Sequence, residues 1–178
     1  MAREQPYHSN GLNDLKWNKQ MDTPRQTYTL KEATRKMERY CAYQERCHQE
    51  VAKKLAGMNM IPQAIDQIMT HLIKNDFLNE ERFARGYARG KFHQKNWGKR
   101  RIVMELKRRQ LSRFNIQNAL RELDKEPYEE VLHKLAVRKL GQISERSILK
   151  KKRKLADYLL YRGWEPELVY DKVRELVP

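Results

Sequence analysis

From Thr27 onward the apolar residues recur every three or four positions, the spacing of one buried stripe on an α-helix. Leu30, Ala33, Met37, Tyr40 and Cys41 form the first stripe, and Val51, Ala52 and Leu55 the second. Gly57 and Asn59 interrupt the pattern, and Pro62 suits the first turn of a third helix carrying Ile65, Ile68, Met69 and Leu72. Asn79 is a natural N-cap, with Glu80 and Glu81 behind it in the turn that favours negative charge. Phe83, Ala84, Tyr87 and Ala88 follow, then Ile102, Val103 and Leu106 on a helix from about Trp97. Ser112 caps a helix with Ile116, Ala119, Leu120 and Leu123. Pro127 opens one with Val131, Leu132, Leu135, Ala136 and Leu140. A long basic helix holds Ile148, Leu155, Ala156 and Leu159, and Pro166 opens the last, with Leu168, Val169, Val173 and Leu176. Period-2 alternation is scarce. The pattern predicts an all-α chain.

The nine stripes repeat in threes. Moving back 51 positions carries Leu106, Leu111, Ile116, Leu120 and Leu123 onto Leu55, Met60, Ile65, Met69 and Leu72. Moving forward 53 carries them onto Leu159, Trp164, Val169, Val173 and Leu176. Helical period alone produces some such agreement. The matching apolar residue in each connecting turn is harder to obtain by chance. The expected architecture is three tandem three-helix units in an elongated, curved array: residues 27–75, 76–124 and 125–178. Residues 1–26 are polar, aperiodic and turn-rich at Asp22-Thr23-Pro24, and predict a disordered extension.

Charge changes the picture more than composition does. The 178 residues carry a formal +15, yet residues 1–26 contribute only one unit of it. The second unit holds thirteen basic against six acidic residues, so the excess sits in the folded middle rather than in a tail. That favours a structured face for a polyanion, nucleic acid or nucleoprotein; a solvated helix surface is the competing account. No apolar run approaches the roughly 20 residues of a membrane span, and Met1 to Met21 hold no apolar signal core. With two cysteines and no export signal, the expected setting is the reducing cytoplasm, with no membrane and a monomer.

Catalytic motifs are absent. There is no glycine-rich phosphate loop, no GxSxG and no CxxC, and Cys41 and Cys47 lack the ligand set that zinc needs. No metal, cofactor or enzyme activity is expected. Gly86 and Gly90, four apart on one helix, read as permitting close helix packing rather than as a phosphate cradle. Trp97, Trp164, Tyr87 and Phe83 read as core anchors before base-stacking groups. The basic residues are more informative. On the helix bearing Ile102 and Leu106, residues Arg100, Arg101, Lys107 and Arg108 fall on the arc opposite the apolar stripe. They are candidates for phosphate contact or for an acidic protein groove. In the run Lys150 to Lys154, residues Lys150, Arg153 and Lys154 point away from the apolar side; phosphate binding and simple solvation fit that run equally. Lys151 and Lys152 lie nearer the core edge.

The stretch Phe77-Leu78-Asn79-Glu80-Glu81-Arg82-Phe83-Ala84, with Tyr87, then Trp97-Gly98-Lys99-Arg100-Arg101-Ile102 and Leu106, resembles the RecX family. The flanking units extend the likeness more weakly over residues 27–178. The turn Gln110-Leu111 departs from it by lacking the glycine often found there. The resemblance implies a non-enzymatic regulator of the RecA recombinase, built of three tandem helical units. Such a protein lies in the groove of the RecA–single-stranded DNA filament and restrains ATP hydrolysis and strand exchange. Within the motif, Arg82, Phe83, Ala84, Tyr87, Gly98, Ile102 and Leu106 then read as mainly structural. The alternative is a general helical DNA- or RNA-binding protein, such as a transcription regulator.

Overall fold

A computed structural model describes residues 27–123 and 127–178. The expected disordered extension, and the boundary placed between residues 124 and 125, lie outside the described residues. Nine helices follow in order among the described residues: α1 (Leu30–Tyr43), α2 (His48–Ala56), α3 (Pro62–Lys74), α4 (Glu80–Lys95), α5 (Lys99–Arg108), α6 (Arg113–Leu123), α7 (Tyr128–Leu140), α8 (Ile148–Tyr161) and α9 (Pro166–Leu176). There is no strand among the described residues.

Local chemistry sets the helix starts. Thr29 and Glu32 form a capping box at α1. The Asn79 side chain accepts from the Arg82 N–H at α4, at 3.0 Å. Ser112 and Ser147 accept from Asn115 and Lys150 N–H groups at α6 and α8. Pro62 and Pro166 occupy first-turn positions, where their missing N–H groups cost nothing. Pro127 instead immediately precedes its helix.

The second helix of each unit ends in the same turn. A residue in the left-handed region closes it: Asn59 at φ 59°, Gln110 at 60° and Gly163 at 83°. Their N–H groups donate to Ala56, Lys107 and Leu160 carbonyls at 3.0, 2.9 and 2.9 Å. The next N–H groups, of Met60, Leu111 and Trp164, reach back to Leu55, Leu106 and Leu159 at 3.2, 3.3 and 3.3 Å. These paired bonds, with an apolar contact across them, are a Schellman termination. The 51- and 53-residue offsets therefore mark a repeated backbone device as well as a repeated stripe. Gln110 adopts the geometry without the glycine, as a polar unbranched residue can at modest cost.

The principal helix pairings lie inside the units, as in an elongated array of three-helix repeats. The burial pattern adds an asymmetry. The first unit has its own core of Met37, Val51, Leu55, Ile68, Leu72 and neighbours. The second and third share one continuous core, from Phe83 and Ile102 to Trp164 and Val173. Leu106 is fully buried there. Leu106→Ala is expected to cost roughly 2–5 kcal/mol, read from thermal unfolding followed by circular dichroism; a surface-like loss would contradict the burial.

The two joints between units differ in kind. At the first, Cys47 is the N-cap residue of α2, yet it is buried in the core of the next units. Polar pairs surround it. Arg82 bonds Glu45 at 2.5 Å and Asp76 at 2.8 Å, and Arg109 lies 3.7 Å from Glu50. The Asn79 side-chain hydrogen bond, then that of Arg82, holds the Asp76 carboxyl below the usual carboxylate range. A depressed folded pKa gives stability that is present above the unfolded value of about 3.9 and lost as pH falls through the folded value. Asp76→Asn is therefore expected to flatten the acid limb of the melting-temperature curve and leave its neutral-to-basic limb parallel to wild type.

At the second joint the backbones meet. Gly98 stands 51 positions after Cys47 and is likewise an N-cap residue. Its N–H donates to the Arg162 carbonyl at 3.0 Å, and the Arg100 N–H donates to the Gly163 carbonyl at 3.1 Å. A Cβ on Gly98 would stand 2.3 Å from that carbonyl oxygen. Among the described residues, the first joint has no corresponding backbone pair. Cys47 carries the side chain that Gly98 lacks.

Candidate nucleic-acid interface

The second joint also organises the basic surface. Phe92, Tyr128 and Trp164 cluster behind it, with ring centroids 4.6 to 6.3 Å apart. The Trp164 indole N–H donates to the Asn96 carbonyl at 3.2 Å. The Lys99 N–H donates to the Tyr128 hydroxyl, which donates to Glu165, each at 2.8 Å. The Arg162 guanidinium donates to the Lys95 carbonyl. The turn before α5 and the turn before α9 are thus pinned to each other from both sides.

Arg101 belongs to this joint rather than to the free outward face on which its helical phase places it. It is half-buried. Its guanidinium carbon lies 4.4 Å from the Trp97 ring centroid and 4.7 Å from that of Tyr161, and one N–H donates to the Tyr161 carbonyl at 2.9 Å. The third unit covers part of the outward arc of α5 and captures this side chain. Tyr87 receives Arg109 in the same manner, at 4.8 Å.

Arg100, Lys107 and Arg108 are exposed. Arg108 also pairs with Glu105 at 3.3 Å, a surface contact worth little. Two adjoining clefts share Arg100 and Met104 in their walls. One, of about 540 Å³, runs along α5 past Val103 to Lys107 and Arg108. The other, of about 530 Å³, opens between α5 and the α8–α9 turn, with Arg101, Tyr161 and Tyr170. No carboxylate lines either. Lys150, Arg153 and Lys154 line neither cleft. Lys154 bonds Glu145 at 3.0 Å and Arg153 lies 3.8 Å from Asp157, while Lys150 is exposed.

Among the motif residues, Phe83, Ala84, Gly98, Ile102 and Leu106 are buried and Tyr87 is half-buried. Arg82 spans the first joint as described. Gly86 and Gly90 do not mediate helix packing as expected: a Cβ at either would meet nothing within 4 Å. They border a shallow groove with Gln44, Lys91 and Gln94. Burial raises the Cys41 and Cys47 thiols, which suits packing and not nucleophilic chemistry. Among the described residues, no group of three or more His, Cys, Asp or Glu side chains is placed to hold a metal ion, and no helix is long and apolar enough to cross a membrane.

Sequence reasoning overlooked Met104, Tyr161 and Tyr170, which are 48%, 73% and 51% exposed. A signal existed for Tyr161: two residues past Leu159, it falls about 200° around the helix from the buried stripe.

The charged face has a direct test. Neutralising Arg100, Lys107 and Arg108 together should weaken nucleic-acid or filament binding and leave the melting temperature nearly unchanged. Where phosphates are the contacts, the slope of log affinity against log salt should shrink by about 0.7 per lost single-strand contact. Arg101→Ala should instead cost about 1–3 kcal/mol of stability, because its hydrogen bond and ring contacts hold the joint.

The comparisons with known proteins agree with this architecture. Residues 79–120 match the family model described as RecX, second three-helix domain, and residues 126–173 that of the third three-helix domain, together about half of the chain. A regulatory protein RecX of Bacillus cytotoxicus is 26% identical over 137 residues, covering 77% of this chain and 51% of its own length, so the chain spans about half of that relative. The Pelodictyon phaeoclathratiforme regulatory protein RecX is 27% identical over 128 residues, covering 72% of this chain and 78% of its own. The crystal structure of RecX from Lactobacillus salivarius superposes with a TM-score of 0.72 at 23% identity, covering 83% of this chain and 96% of that one. At that identity the superposition shows the fold: three-helix units in tandem. With both domain models matched in order and in register with α4–α6 and α7–α9, the chain belongs to the RecX family.

Proposed function

We propose that this protein is a regulator that binds the RecA filament on single-stranded DNA, lies in its groove and restrains ATP hydrolysis and strand exchange. The observation that carries the reading is the pair of carboxylate-free clefts along α5, the basic helix of the most basic unit of a RecX-family array. An elongated series of units matches a groove that passes several protomers, and its exposed cations match a floor of DNA phosphates. The protein acts by binding and not by catalysis, as a cytoplasmic monomer without cofactor. The exposed Arg100, Lys107, Arg108 and Lys150 are its polyanion contacts; Arg153 and Lys154 join them by giving up the pairs with Asp157 and Glu145.

The same basic face favours a second reading, a general helical nucleic-acid binder. The test is RecA's DNA-dependent ATP hydrolysis, measured after filament assembly, with this protein added below one molecule per RecA. Inhibition at that ratio is expected, because one elongated molecule touches several protomers or stops an end. An unrelated basic helical protein of equal DNA affinity serves as control. Equal inhibition by the control, or relief by excess DNA, favours the general binder.

A further inference from the structure

We infer that the cleft between α5 and the α8–α9 turn is a subsite for an unpaired base of single-stranded DNA, stacked on Tyr161 and flanked by Tyr170 and Met104. This deepens the single-strand reading above and rests on it. Three observations converge on the cleft. First, it is aromatic and open. Tyr161 and Tyr170 are 73% and 51% exposed, Met104 is 48% exposed, and all three line one cleft of about 530 Å³. That volume lies within the range of small-ligand sites. Second, the platform is held in place. The Arg101 guanidinium lies 4.7 Å from the Tyr161 ring centroid and is backed by Trp97, so the ring is supported while Tyr161 stays largely exposed. A ring fixed before binding loses less entropy when a base stacks on it. Third, charge selects the occupant. The cleft contains Arg100 and Arg101 and no carboxylate, and it continues past Met104 to Lys107 and Arg108.

A strand with one base in the aromatic cleft would carry its neighbouring phosphates along α5 toward those cations. Stacking accepts any base and needs no hydrogen-bond readout, so the subsite is indifferent to sequence. Duplex DNA keeps its bases stacked on each other and offers the cleft none. The glycine at 163 lets the α8–α9 turn close against α5, since a side chain there would run into Arg101.

The test is equilibrium binding of the full chain to a labelled oligothymidylate and to an abasic oligonucleotide of equal length, across a range of salt. The variants are Tyr161→Ala with Tyr170→Ala, and Tyr161→Phe with Tyr170→Phe. The alanine pair gives up one Arg101 ring contact but keeps the hydrogen bond to the Tyr161 carbonyl, so its melting temperature should fall less than that of Arg101→Ala, and the phenylalanine pair should stay near wild type. The alanine pair should lose roughly tenfold in affinity for oligothymidylate, with an unchanged salt slope, and the phenylalanine pair should retain it. The abasic strand should bind wild type more weakly and ignore both pairs. Wild-type binding of oligothymidylate that is undetectable, equal to that of the abasic strand, or unaltered in the alanine pair overturns the subsite. So does a tyrosine dependence seen with oligouridylate alone. The RecA assay separates the two claims. Tyrosine-dependent oligothymidylate binding without filament-specific inhibition keeps the subsite and removes the RecA reading. Filament-specific inhibition by wild type with tyrosine-independent binding does the reverse.

Discussion

Gly98→Ala is expected to destabilise the protein by roughly 3 kcal/mol or more, although it adds one methyl group at a turn. The new Cβ would stand 2.3 Å from the Gly163 carbonyl oxygen and 2.6 Å from the Trp164 Cα. Both are backbone atoms held by their own turn, so neither can swing aside. The joint must open, and the bonds from Gly98 N–H to Arg162 and from Arg100 N–H to Gly163 weaken together. For a chain of this size the melting temperature should fall by on the order of 10 °C. The loss should be local. Amide hydrogen exchange should accelerate in α5, α8 and α9, while α1–α3, with a core of their own, keep their protection. A small and uniform change would mean that the two backbones are farther apart than this.

Trp164→Ala should cost roughly 3–5 kcal/mol, the range for deleting a large aromatic side chain from a core. The indole is fully buried between Phe92 and Tyr128 and gives its N–H to the Asn96 carbonyl. Trp164→Phe should cost less, because it keeps a ring in place and loses chiefly that bond. Met60→Ala is the internal comparison. Met60 occupies the same position of the first unit's turn but is only half-buried, so its truncation should be milder. Denaturant unfolding of the three variants orders these costs. Equal losses at positions 60 and 164 would show that burial of this turn residue does not set its cost.

The contrast between those two positions shows what a repeat in sequence conveys and what it leaves out. The offsets align Met60 with Leu111 and Trp164, and the hydrogen bonds repeat at all three. Nothing in the alignment says that the second and third units fuse their cores while the first keeps its own. Cys47 and Gly98 align too. Whether a side chain or bare backbone stands at that position decides whether the joint is a plug or a backbone contact.

The candidate site divides along the same line. Arg100, Lys107 and Arg108 are exposed, as helical phase predicts. Arg101 has the same phase and is captured, because the third unit brings the Tyr161 ring and its carbonyl within reach, beside Trp97 of its own unit. Gly86 and Gly90 show the opposite error. Their spacing suggested helix contact, and the fold leaves the face open.

Helix number, order and phase, the tandem repeat and the concentration of charge in the middle unit are properties of the chain read alone. They depend on interactions within a few residues: the 3.6-residue period, caps and prolines at helix starts, and left-handed residues at helix ends. The shared core, the Gly98–Gly163 contact, the capture of Arg101 and the exposed tyrosine cleft were decided by tertiary structure. Each depends on residues of different units, tens of positions apart in sequence. A helical stripe says which side of a helix is buried; it does not say which neighbour buries it.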